Sequence, residues 1–76
     1  MDAICNEIRL CLRDFRNKYD TKIKNIRIHR DKFMHLLEVD RQWKILYGIC
    51  FGGTKKQLTA WTEDGIMESF NLEYGV

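Results

Sequence analysis

Apolar positions in residues 2–19 recur at helical spacing. Ile4, Ile8, Cys11, Leu12, Phe15 and Tyr19 fall on one stripe when each residue turns the chain by about 100°. The pattern predicts an amphipathic helix with Asp2 as its N-cap, a carboxylate at the positive end of the helix dipole. Arg9, Arg13 and Arg16 share a neighbouring face, and Leu10 points away from the stripe. Asn17 to Asp20 offers an exit from the helix, with no Gly or Pro to set the boundary.

Within residues 23–29 the period changes to two. Ile26 and Ile28 alternate with Arg27 and His29, which predicts a half-buried strand. Ile23 is out of phase; a bulge or a strand start near Asn25 reconciles it. Asp31 then reads as the N-cap of a short helix over 32–39, because Phe33, Leu36 and Leu37 stand at i, i+3 and i+4. A strand is the rival reading there, since Phe33, His35, Leu37 and Val39 also alternate.

Lys44 to Phe51 alternates as a strand, with Ile45, Tyr47, Ile49 and Phe51 on one face and Leu46, Gly48 and Cys50 on the other. Both faces are largely apolar, which predicts a central position. Residues 57–62 and 66–72 are two further strands. Glu63-Asp64-Gly65 between them reads as a type I turn closed by Gly65 at positive φ. That turn sets Leu58 opposite Phe70 and Trp61 opposite Met67.

The elements predict a single small α+β domain over residues 1–76. An N-terminal helix, a strand and a short helix precede a three-stranded antiparallel meander, with both helices on one sheet face. That face takes Ile45, Tyr47, Ile49, Phe51, Leu58, Phe70 and Leu72; the other carries Leu46, Cys50, Trp61 and Met67. A second face so apolar needs a cover or marks an interface. The alternative reverses the sheet and places Trp61 in the core beneath the first helix.

Composition narrows the function classes. Seventy-six residues bury only about 60% of the surface of the unfolded chain, leaving little room for both a core and a deep cleft. The chain is 45% hydrophobic and 32% charged, ordinary for a globular domain. The longest uncharged apolar run, Ile45 to Gly53, is far short of the ~20 residues that span a bilayer. The start lacks the basic and apolar regions of a signal peptide. Cys5, Cys11 and Cys50 form no CxxC pair and are odd in number, so they read as free thiols. Cys11 and Cys50 are expected in the core, and Cys5 partly exposed. These features point to a cytoplasmic protein with no membrane segment. The net charge is +2, made of +4 in residues 1–44 (eleven Lys/Arg, seven Asp/Glu) and −2 in residues 45–76 (two against four).

The chemistry-bearing motifs are few. "GICFGGTK", residues 48–55, approaches a P-loop, but the hydroxyl of Thr54 precedes Lys55 and a strand pattern follows in place of a helix. The glycines read as turn residues. His29 and His35 straddle a change of element, and Cys5 and Cys11 turn to different helix faces, so no metal site is expected. Cys50 lies among apolar neighbours that keep it a thiol. No catalytic residue and no cofactor is assigned, and the chain is read as non-enzymatic.

Surfaces remain. Arg9, Arg13 and Arg16, with Lys22, Lys24 and Arg27 nearby, suit an acidic protein or phosphates; the plain alternative is a solvated helix face. Trp61 and Met67 are the candidate apolar anchors. Across roughly residues 26–70, "IRIHRDKFMHLL", "WKILYGICFGG" and "AWTEDGIMESF" resemble small bacteriophage and mobile-element proteins, whose capped strand–helix step leads to an aromatic-glycine strand and a hairpin. The chain lacks the proline-rich loops frequent in phage structural subunits. The resemblance implies an accessory protein that binds and inhibits a host protein complex, as anti-CRISPR inhibitors do, and it transfers no site residues. The expected function is therefore protein interaction through Arg9, Arg13, Arg16, Trp61 and Met67. Nucleic-acid binding by the basic half and a homo-oligomer packed through the second sheet face are the alternatives.

Overall fold

In a computed structural model, which describes residues 3–73, the N-terminal stripe forms helix α1, Ala3–Tyr19. Ile4, Ile8, Leu12 and Phe15 are buried, with Cys11 and Tyr19 packed at the margin of the core. Cys5 is also fully buried, against expectation, because the apolar face is wide enough to include both Ile4 and its neighbour. The helix stops where Asp20 enters the left-handed region, at φ 48°. Short polar side chains tolerate that conformation better than most, which lets a helix end without glycine. Asp2, the expected N-cap, lies outside the described residues.

Strand β1, Asn25–Ile28, starts where the phase of Ile23 requires, and Ile23 is buried just ahead of it. The ambiguous segment is helical: α2 spans Arg30–Val39 and buries Phe33 and Leu36. Its cap is His29, not Asp31. His29 is extended, and its Nδ1 accepts the Asp31 N–H at 3.2 Å. Asp31 sits in the first turn, where its carboxylate still faces the positive helix end.

The segment 44–51 is divided. Trp43–Leu46 forms one helical turn, α3, and only Gly48–Phe51 is strand, β2. Asp40 Oδ1 accepts the Gln42 N–H at 2.9 Å, and Gln42 O then accepts the Ile45 and Leu46 N–H groups. That turn drops Trp43 into the core and turns Ile45 out, to 85% exposure. Strands β3, Gln57–Trp61, and β4, Met67–Asn71, form the expected hairpin, with Leu58 opposite Phe70 and Trp61 opposite Met67. Gly65 closes the turn at φ 89°, and its N–H donates to Thr62 O at 3.2 Å.

The sheet has four strands in the order β2-β1-β3-β4. β1 pairs in parallel with β2 and antiparallel with β3, so the sheet is mixed and β2 lies at an edge, not in the centre of a meander. Parallel neighbours need a crossover, and α2 with α3 supplies it. Residues 52–56 carry the chain past the end of β1 to β3. They are no tight hairpin, although Gly53 does require positive φ, at 73°. Ile26, Ile28, Leu58 and Ala60 point to one face and share a core with α1, α2 and Trp43. Charged Arg27 and polar Thr59 face the other way, and so do Cys50 and Trp61.

Candidate interaction surfaces

The arginines of α1 border a groove whose other wall is α3. Arg9, Leu12, Arg13 and Arg16 line it from α1; Asp40, Gln42, Trp43, Leu46 and Tyr47 line it from the crossover, around a volume of about 360 Å³. It continues past Arg16 and Tyr47 to Lys22 and Ile23. A third depression, between Thr21–Lys24 and Thr62–Asp64, also reaches Leu46. Leu46 thus stands where three hollows meet, and it is 58% exposed.

The three arginines are not equivalent. Arg9 Nη2 lies 2.8 Å from Asp40 Oδ2, and its guanidinium is 5.7 Å from the centre of the Trp43 ring. Asp40 is also the residue that starts α3, so Arg9 ties α1 to the crossover. Arg13 and Arg16 are exposed on the groove wall. Tyr47 is half-buried beside them. Burial pushes its phenol above the usual 10.0, against the pull of the Arg16 and Arg9 guanidiniums, so it stays neutral at physiological pH. Trp43 is 3% exposed, and its indole N–H has no hydrogen-bond partner among the described residues.

Trp61 and Met67 are elsewhere. They pair across the β3–β4 hairpin on the open sheet face, opposite the one α1 covers. The core alternative for Trp61 fails because Leu58 and Ala60 are the core-facing residues of β3. Trp61 is half-buried there, with the Arg27 guanidinium 5.8 Å from its ring, and Met67 is 63% exposed. The rest of this face is polar: Thr59 and Ser69 hydroxyls lie 2.8 Å apart, and Arg27, Gln57 and Gly53 border a small hollow beside them. The structure therefore does not join the five sequence-derived residues into one site. The arginines and the Trp61–Met67 pair occupy opposite sides of the molecule.

Two further features were not legible as site residues. Leu46, expected on the second sheet face, stands beside the arginines, because α3 replaces the first half of the expected strand. Cys50, expected in the core, is exposed on the open face of the edge strand. Among the described residues, no group of three His, Cys, Asp or Glu could hold a metal ion, and no helix is long and apolar enough to cross a membrane. Comparisons with protein-family models, curated proteins and solved structures return no match.

Proposed function

We propose that the chain is a non-enzymatic protein-interaction module, and that the groove between α1 and α3 is its binding site. The partner surface is an acidic segment carrying an aliphatic anchor. The single observation that carries this reading is the site's composition: Arg13 and Arg16 stand on a wall above Leu12, Tyr47 and the exposed Leu46. Cationic rims steer acidic partners, and an apolar contact at the centre supplies affinity. The likeness to phage accessory proteins gives such binding a consequence, namely occlusion of a host complex in the cytoplasm, as an anti-CRISPR-type inhibitor acts.

Nucleic acid is the second reading, favoured by the line of basic residues from Arg13 through Arg16 to Lys22. Single-stranded nucleic acid is usually held on exposed aromatic faces as well as on cations. Here Trp43 is buried, Tyr47 is half-buried, and the exposed apolar side chain of the groove, Leu46, is aliphatic. That composition suits a protein better.

Affinity capture with the parent chain, Arg13→Glu and Leu46→Asp tests the proposal. Each substitution is at an exposed position, so the fold is retained. Each should weaken capture of a stoichiometric protein by about 2 kcal/mol, roughly thirtyfold. Equal capture by both variants refutes the site. A gel shift that weakens steeply with salt and is lost in Arg13→Glu supports nucleic acid instead.

A further inference from the structure

Both sheet edges lack a strand partner among the described residues, and the two differ in kind. β4 carries a charge, Glu68. β2, Gly48–Phe51, has no charge, no proline and no bulge of its own; what protects it is its shortness and the Arg30 guanidinium, 5.0 Å from the centre of the Phe51 ring. The Gly48 and Gly52 N–H groups donate inward, to Lys24 O at 2.9 Å and Ile28 O at 3.4 Å. Backbone direction alternates along a strand, so the N–H and C=O groups of Ile49 and Phe51 point outward from the sheet.

We propose that β2 pairs antiparallel with β2 of a second copy of this chain, about a twofold axis through Cys50. This register sets Ile49 opposite Phe51 of the other copy, and Phe51 opposite its Ile49. Each pair exchanges both hydrogen bonds, so all four outward groups of each strand are satisfied. An axis through Ile49 does worse. It would set Phe51 against Tyr47, whose N–H already donates to Trp43 O at 3.2 Å. The chosen register keeps each face continuous across the axis, because directly opposed residues share a face. It therefore joins two four-stranded sheets into one of eight strands with all helices on one side.

Side chains agree with the backbone. Ile49 and Phe51 face the helix-covered side, and Phe51 is 48% exposed at the edge, its ring 5.4 Å from that of Phe33. Pairing brings each Phe51 beside an Ile49 of the other copy. On the open face, exposed Cys50 meets its own twofold mate at the close, non-hydrogen-bonded position. There the Cα atoms stand about 4.5 Å apart, within the range a disulfide spans. No like charges from the strand oppose each other across the axis, which suits an isologous contact. The contact is small, so association is weak and concentration-dependent.

Analytical ultracentrifugation under reductant, from micromolar to millimolar chain, gives the first readout. A monomer–dimer equilibrium is expected, and Cys50→Lys, which sets two cations face to face at an exposed position, should abolish it over the same range. Diamide gives the second readout. It takes two electrons and two protons from a pair of thiols, is reduced to the hydrazine, and leaves a disulfide. Peptide mapping should find that disulfide joining Cys50 to Cys50 between chains. A monomer at every concentration overturns the proposal. So does a dimer that survives in Cys50→Lys, or a principal cross-link elsewhere than Cys50. Neither readout depends on the α1–α3 groove, so the two proposals stand or fall separately.

Discussion

Arg9 separates a structural role from a binding role, and a double-mutant cycle measures which it has. Its guanidinium makes a 2.8 Å ion pair with Asp40 and lies over Trp43 at 5.7 Å. Both charged side chains are partly exposed, so the pair is worth about 0.5–1 kcal/mol, at the upper end for surface pairs because both partners are held in place. The ring contact adds about 0.5–1 kcal/mol. Arg9→Met keeps the aliphatic stem and removes both, a loss of about 1–2 kcal/mol. For a domain this small each kcal/mol lowers Tm by roughly 4–8 °C. Asp40→Asn removes the charge but keeps the oxygen that accepts the Gln42 N–H, so α3 still starts. Urea unfolding of the parent, both single variants and the double variant should give a coupling of about 0.5–1 kcal/mol that shrinks in high salt. Zero coupling at low salt would refute the tether and return Arg9 to the pool of residues free to meet a partner.

Two other outcomes follow from local geometry. Gly65→Ala should destabilise by about 1–2 kcal/mol through the backbone alone, since φ is 89° and a Cβ there meets nothing within 4 Å; an unchanged Tm would contradict the turn. At alkaline pH, burial raises both the Tyr47 phenol and the Cys11 thiol, the latter helped by the charges of Glu7 and Asp14. Folding therefore favours their neutral forms: their contribution is complete below the ordinary values, 9.0 for the thiol and 10.0 for the phenol, and is lost as pH rises through the raised ones. The unfolding free energy should fall above about pH 9, and Tyr47→Phe with Cys11→Ala should flatten that fall.

Local patterning explains why much of the fold could be read in advance. The i, i+4 stripe of α1 and the Glu63-Asp64-Gly65 turn are determined by residues near in sequence, and β3–β4 register follows from that turn. Pairing of β1 with β2 is non-local. Nothing in Ile26–Ile28 or Gly48–Phe51 distinguishes a parallel neighbour from an antiparallel one, so the default of pairing consecutive strands misplaced β2. α3 was hidden for a different reason. Ile45, Tyr47, Ile49 and Phe51 do alternate, but the turn that Asp40 Oδ1 makes with the Gln42 N–H and the burial of Trp43 outweigh that short-range preference. The same two errors govern the site. α3 moves Leu46 from the sheet to the groove, and the edge position of β2 exposes Cys50. The arginine face was legible because helical spacing alone assembles it; its apolar floor comes from a distant segment.

The central claim is that the α1–α3 groove, and not the open sheet face, meets the partner. It is tested most directly by 1H–15N NMR titration of the labelled chain with the captured protein. The account predicts shifts at the Arg13, Arg16, Leu46 and Tyr47 amides and at the Trp43 indole N–H. Shifts confined to Arg27, Trp61 and Met67, with the Trp43 indole unmoved, would contradict it.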